Sequence, residues 1–334
     1  MLKYLFMKYR LLIFIVLGIS LFQSCQPYKA IQIETIIPAK IDFPGNFNKI
    51  VFINLASDIN HDEKTDTLLY KIITEEMSLG FMDAIQLSVG VDSTNFLYVK
   101  GFPEKEKLYK LDTISWLYLE KISGNTNADI FIVLDSLNLS MTSDIYIEYS
   151  YVPAEYYKYR ELAVNVYWSV FDLVEKRRLD QYYYNDTLLW DVRAYSKVEA
   201  EKKMPSIERS IRETSYFAAA DYAKRIFPGW QSEYRYYFHL GNKDFEVAAQ
   251  YAENNEWEKA SDIWISYADN IDKEIASRAS FNMALASEIT GKLDLAIKWA
   301  VKSNSIKNKP RTRYYISLLK SRQEDLNKLQ KQIY

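Results

Sequence analysis

The chain has one cysteine and two histidines among 334 residues. That scarcity excludes a disulfide framework and any zinc site assembled from several Cys or His ligands. Glycine and proline are sparse as well, nine and eight, which excludes collagen-like and low-complexity chains. Neither sign of charge dominates: 42 Lys and Arg face 44 Asp and Glu, so no global basic drive points to nucleic acid. The sequence has no G-x-S-x-G, H-E-x-x-H, Walker A or G-x-G-x-x-G motif, each of which would mark a built catalytic or nucleotide site. His61 and His239 have no Ser or Cys nucleophile beside them. The expectation is therefore a non-enzymatic protein without cofactor or metal. Aromatic residues, by contrast, reach 15% and include 28 Tyr. Length sets a soft expectation of about two domains.

Residues 1–10 carry Lys3, Lys8 and Arg10 and no acid, and Leu11 to Phe22 is an apolar run. It is shorter than the roughly 20 residues of a membrane span, but it suits a signal peptide. Met7 opens an equally good basic segment. The run ends in Leu21-Phe22-Gln23-Ser24-Cys25, and Cys25 is the only cysteine. This resembles a lipobox, although Phe22 and Gln23 stand where Leu and a small residue are usual. The resemblance implies cleavage after residue 24, acylation of Cys25 and attachment to a membrane through lipid. Removing residues 1–24 leaves 39 basic and 44 acidic residues, a net acidic body that argues against a second, electrostatic anchor. Gln26-Pro27-Tyr28-Lys29 lacks the acidic cluster of some surface-exported lipoproteins. The location expected by this analogy is the periplasmic face of an outer membrane. Residues 25–48 read as a tether followed by a first extended segment.

Residues 49–229 read as a mixed α/β domain. Lys49–Asn54 and Asp129–Leu134 are apolar runs suited to buried strands. Leu69, Ile72, Ile73 and Met77 recur at helical spacing behind Asp66 or Thr67. A second helix, marked by Ile114, Leu117 and Tyr118, is expected to stop near Gly124. Ile145, Ile147, Tyr149 and Tyr151 alternate, as do Leu162, Val164, Val166, Trp168 and Val170, the pattern of antiparallel strands with one wet face. Glu175–Arg178 reads as a turn into a return strand near Leu179–Tyr184. A long helix is expected from Pro205 to Phe227, with Ile207, Ile211, Ala218, Tyr222 and Ile226 on one face, stopped by Pro228-Gly229. The order of elements is similar to small periplasmic α/β domains, such as the N-terminal domain of the Tol translocation protein and curli-secretion-type lipoproteins. Asp58–Asp66 resembles the start of a calcium loop. It lacks the turn glycine, and Leu69 stands in place of the closing Glu, so a solvated loop before a helix is the simpler reading.

Residues 230–334 are expected to be helical and to repeat. Ala248 aligns with Ala284, Asn255 with Gly291, Trp257 with Leu293 and Ala260 with Ala296, all at the same spacing of 36 residues. A fixed period of this size marks stacked helix pairs. Tyr251–Ala260 and Glu288–Ala296 resemble turns of tetratricopeptide repeats. The fold class expected overall is α+β, a mixed α/β N-terminal domain followed by an all-α tetratricopeptide-like repeat domain. The whole chain resembles an uncharacterised family of Gram-negative outer-membrane lipoproteins with C-terminal tetratricopeptide repeats, which brings no known activity with it.

Two surfaces are candidates for function. In such repeats the first helix of each pair lines a groove that takes a protein partner, which nominates Phe245, Gln250, Arg278 and Asn282; if the repeats instead only dock on the α/β domain, Phe245 and Tyr251 are expected to be buried there. The alternative is a glycan or other cell-envelope ligand on the Tyr-rich sheet face, through Tyr149, Tyr151 and Tyr183, because aromatic faces with hydroxyls stack on sugars and anchor partners.

Overall fold

The computed structural model describes residues 26–44, 47–55, 67–90, 96–99, 114–149 and 153–333. Cys25, Tyr151 and the Asp58–Asp66 segment lie outside the described residues. In chain order the first elements are β1 (Tyr28–Ile37), β2 (Ile50–Asn54), α1 (Thr67–Gln86), β3 (Phe96–Val99) and α2 (Trp116–Thr126). Then come β4 (Ile130–Glu148), β5 (Glu155–Asp172), β6 (Arg177–Ala194), α3 (Lys197–Lys203), α4 (Ile207–Ile226) and β7 (Gly229–Phe238). The remainder is helical: α5 (Lys243–Glu253), α6 (Trp257–Ser266), α7 (Lys273–Ile289), α8 (Leu293–Ile306) and α9 (Pro310–Ile333). The architecture is mixed α/β with helices at the C-terminal end. Two compact units divide the chain. One is Met1–Thr35 with Ser232–Asp325, the other Ile36–Gln231 with Leu326–Tyr334.

The second of these units is built on a five-stranded sheet of order β3-β2-β4-β5-β6. Strand β2 is parallel to β3 and β4, while β4, β5 and β6 are antiparallel. Every residue of β2 is buried, as its apolar run requires for a strand covered on both faces. One face carries α1 and α4 over a column of aromatic rings. Phe52 stacks on Phe81 at 5.0 Å, Phe81 on Trp168 at 5.9 Å, and Trp168 on Tyr222 at 4.4 Å. Such pairs add about 0.5–1.5 kcal/mol each beyond the area they bury. The other face carries α2 over Val51, Ile53, Phe131, Val133 and Phe171.

Several sequence expectations change in length or place. The runs at 130–134 and 145–148 belong to one 19-residue strand, β4, with a bulge between Leu134 and Ser136, and Tyr149 lies in the turn that follows. The return strand continues past Tyr184 to Ala194. Gly124 does not end α2; Asn127, with φ of 62°, caps it, since Asn also tolerates the left-handed region. Ile207, expected on the buried stripe, is about half exposed in the first turn of α4. Residues 230–334 are not helical throughout: they open with β7, which pairs with β1.

The first unit packs α5–α8 around Phe245, Trp257, Trp264 and a set of fully buried alanines, Ala248, Ala260, Ala284 and Ala296. Methyl side chains at these positions let the helix backbones approach closely. Asn255 and Gly291 take positive φ, 62° and 76°, at corresponding turns; Asn and Gly are the residues that do so at low cost.

Gly80 of α1 faces the backbone of Tyr216 on α4 so closely that a Cβ would overlap the Tyr216 carbonyl. Gly80→Ala is expected to lower stability by about 1–3 kcal/mol through overpacking, measured by denaturant unfolding. An unchanged midpoint would show that the two helices tolerate a wider separation.

Candidate binding surfaces

The four helix positions nominated for partner capture have very different surroundings. Phe245 is fully buried under Gly241 and against Tyr267. Asn282 is fully buried too, and its amide grips the backbone of β7: Phe238 N donates to Oδ1 and Nδ2 donates to Phe238 O, both at 2.7 Å. Arg278 donates to the Leu240 carbonyl at 2.7 Å and to Glu274 at 2.9 Å, with its guanidinium 5.3 Å from the Phe238 ring. Only Gln250 is exposed. The corrections at Asn282 and Arg278 share one cause. The end of β7 lies along the helices as an extended segment, with Tyr237 against Trp257 and Trp264 and Phe238 against Phe281. The face expected to receive a partner is filled by the chain itself. Nothing local in the sequence signals this, because Phe238 and Asn282 are far apart along the chain.

The sheet face is different. Alternation along β5 puts Lys158, Arg160, Leu162, Val164, Val166 and Trp168 on one side. There Arg160 donates to the Pro205 carbonyl at 2.6 Å and to Ser210 at 3.0 Å, Lys158 pairs with Glu201, and Trp190 donates to Glu213 at 3.1 Å. Helices α3 and α4 cover that side. The opposite side carries Tyr157, Tyr159, Glu161, Asn165 and Tyr167, and beyond the reach of α2 it is open among the described residues. Cross-strand rows there read Tyr146–Tyr157–Arg193, Asn138–Asn165–Asn185 and Ser136–Tyr167–Tyr183. The rings of Tyr146 and Tyr157 are 5.0 Å apart, those of Tyr167 and Tyr183 4.7 Å. Tyr183 and Asn185 both donate to Asn165. Tyr183 is therefore held in place while 48% exposed; Tyr149, in the turn after β4, is 77% exposed.

The edges of this ribbon are partly closed. Past Asn54's partner Leu134, β4 has left β2, and β6 is the last strand of the sheet. The Tyr159 carbonyl accepts from Ser143 on β4, so by antiparallel alternation the Ile145 and Thr187 amides point away from β5. Each donates instead to the carboxylate before it, Asp144 or Asp186, at 2.7 Å. Those carboxylates oppose strand addition at both edges, which leaves the face as the accessible surface.

At the β4 bulge, Asp135 accepts from Ser169 Oγ at 2.6 Å. Burial raises its pKa to about 6, against the opposing pull of Ser169 and Arg178. Among the described residues no cluster of His, Cys, Asp and Glu is arranged for a metal ion. No helix among them is long and apolar enough to cross a membrane.

Residues 92–238 match a domain of unknown function, DUF8603, and residues 246–324 match a second, DUF6340. No curated protein matches the chain. Among solved structures, a Helicobacter pylori protein named as a neuraminyllactose-binding hemagglutinin homolog shares 11% identity over 56% of this chain and 87% of its own, with a TM-score of 0.27. The PelC dodecamer from Paraburkholderia phytofirmans shares 7% over 58% and 94%, with a TM-score of 0.22. The hypothetical protein CT253 from Chlamydia trachomatis shares 10% over 53% and 96%, with a TM-score of 0.25. Scores this low establish neither fold nor function.

Two outcomes are expected. Asn282→Ala should cost about 2–4 kcal/mol in chemical unfolding, because it strands two buried backbone groups at roughly 1–3 kcal/mol each. A loss below about 0.5 kcal/mol would mean that surface exposure, not burial, describes this site. The second concerns Asp135. The folded protein holds its proton more tightly than the unfolded chain does, so this group's stabilisation is full below about pH 4 and is lost as pH rises toward 6. The change is up to about 3 kcal/mol. Asp135→Asn should flatten the stability profile over that range, and a profile identical to wild type would remove Asp135 as its source.

Proposed function

We propose that the protein is a non-enzymatic, lipid-anchored adaptor or assembly factor of the cell envelope, and that its partner is another protein. The observation that carries this reading is the open, ordered Tyr/Asn/Thr face of the β4–β6 ribbon, taken with the separate finding that the groove expected on the helices is already filled. Tyrosine supplies large, stiff, amphipathic contact area at small entropic cost, and Asn, Ser and Thr supply adaptable hydrogen bonds. A broad flat face of this composition suits a protein better than a small ligand, which needs a concave site. The 36-residue spacing, the paired turns at Asn255 and Gly291 and the buried alanines support a tetratricopeptide-like reading of α5–α8 in a scaffolding role. The lipobox-like Leu21–Cys25 supports acylation at Cys25 and placement at the outer membrane, facing the periplasm. A glycan remains the second reading, favoured by the exposed ring pairs Tyr146–Tyr157 and Tyr167–Tyr183.

A photocrosslinker at Thr187, which lies on the open face, tests the proposal in intact cells. A discrete protein adduct is expected, lost in Tyr167→Ser/Tyr183→Ser with the melting temperature unchanged. Absence of any protein adduct, combined with retention on a glycan column that the double substitution abolishes, would replace the adaptor reading with the glycan one.

A further inference from the structure

The geometry points to a second interaction surface, formed by residues around Gln26 and the start of α5, that rests directly on the phospholipid headgroups. This inference rests on the proposed acylation of Cys25. The residue next to Cys25 is not the start of a loose tether. The Gln26 carbonyl accepts from His239 Nε2 at 2.9 Å, and the Pro27 carbonyl accepts from the His239 amide at 3.1 Å. Strand β1 begins one residue later, paired with β7. Its first residue, Tyr28, is clamped by Arg311, whose guanidinium lies 3.4 Å from the ring centroid and 5.1 Å from that of Tyr236. Lys29 pairs with Glu253.

Consecutive Cα atoms are about 3.8 Å apart. An acylated Cys25 therefore places its lipid within one residue of a backbone fixed to the helices of the same unit. The surface nearest that point has the chemistry of a headgroup layer contact. Lys243 opens α5 and is exposed, with Asp244 and Glu246 in the same first turn. Lys307 and Lys309 gather on Glu274, beside Arg278 and the Leu240 carbonyl. Tyr28, Tyr236 and Arg311 form a stacked aromatic–cation group, the residue types that sit at a membrane interface. Phosphate is the acceptor these cations would meet. The chain as a whole is acidic after cleavage, yet Arg278, Lys307 and Lys309 face the single carboxylate of Glu274 here, so the net charge that argued against a second membrane contact does not describe the surface at the anchor. The turn at Gly291 lies at the other end of α7, about 20 Å along the helix from Arg278, and points that end away from the bilayer.

The test uses acylated full-length protein in phosphatidylethanolamine–phosphatidylglycerol vesicles doped with a nickel-chelating lipid. A nitroxide is placed by Lys243→Cys near the anchor or by Lys292→Cys at the far turn. Nickel relaxation several-fold stronger at position 243 is expected. Inserting roughly ten Gly and Ser residues between Cys25 and Gln26, a coil spanning about 18 Å, should make the two positions equal. Equal relaxation without the insertion would overturn the inference while leaving the anchor intact. Vesicle flotation reads the anchor separately: wild type should float and Cys25→Ser should not. A wild type that fails to float would overturn both the anchor and the surface.

Discussion

Glu288 is completely buried on α7, and three donors from other elements converge on it. Arg235 of β7 binds it through two nitrogens at 3.0–3.1 Å, Tyr315 of α9 donates at 2.6 Å, and Arg322 of α9 adds a further contact. A carboxylate in such a place is tolerable only when its charge and its lone pairs are all answered. The Tyr315 hydroxyl stays protonated, pushed well up by burial and by the adjacent Glu288 charge. Removing one partner would leave an uncompensated buried charge, typically worth about 3–5 kcal/mol. This arrangement commits β7 to α7. Once Arg235 is held there, Tyr237 and Phe238 follow onto the tryptophans and Asn282, and the helix face has no room for another extended chain.

The open sheet face follows from a matching constraint in the other unit. Strands β4, β5 and β6 run 18 or 19 residues, several times the usual strand length of about 5–6. Helix α2 has only 11 residues, about 16 Å, so it covers the base of one face and no more. On the opposite face α4 is 20 residues and α3 adds about two turns more. The asymmetry of cover produces the asymmetry of chemistry along β5: Leu162, Val164 and Val166 on the covered side, Glu161, Asn165 and Tyr167 on the open side. The order of the open face comes from cross-strand bonds such as Tyr183 to Asn165 rather than from burial.

What could be read from the sequence was what local pattern and short spacing impose. Asn255, Gly291, Trp264 and the alanines are legible because a turn needs a left-handed residue and close helices need small ones. The buried runs at 50–54 and 130–134 are legible because both faces are apolar. The middle of β4, from Asn138 to Asp144, is not: with one side wet and the other at the edge of cover, no burial enforces alternation on Asn-Leu-Ser-Met-Thr-Ser-Asp. Strand β7 was hidden for another reason. Trp230, Ser232, Tyr234 and Tyr236 are exposed, while Arg235, Tyr237 and the last residue, Phe238, are buried. A buried arginine inverts the polarity that an alternating pattern is read by, and its carboxylate partner is 53 residues away. The helices that carry Arg278 and Asn282 are legible too, but what covers these two residues, Phe238 and Leu240, lies 38 to 44 residues earlier in the chain.

The abundance of tyrosine then divides by what each hydroxyl meets. Tyr222 is packed flat on Trp168 at an interplanar angle of 9° and donates to Asp180 at 3.3 Å. Tyr184 donates to Asp186 and Asp221, and Tyr237 to Glu253. Each of these phenols is held protonated by burial and by the carboxylate it faces, so each is a fixed donor in a wall that phenylalanine could not satisfy. Removing such a hydroxyl would leave a carboxylate short of a partner, not merely lose a bond. Tyr146, Tyr149, Tyr167 and Tyr183 have no such burden, being about half exposed or more. Their rings are costly to leave in water over so broad an area. An uncovered group of this kind on an otherwise well-capped ribbon is the surface whose burial by a partner would yield the most free energy per residue ordered.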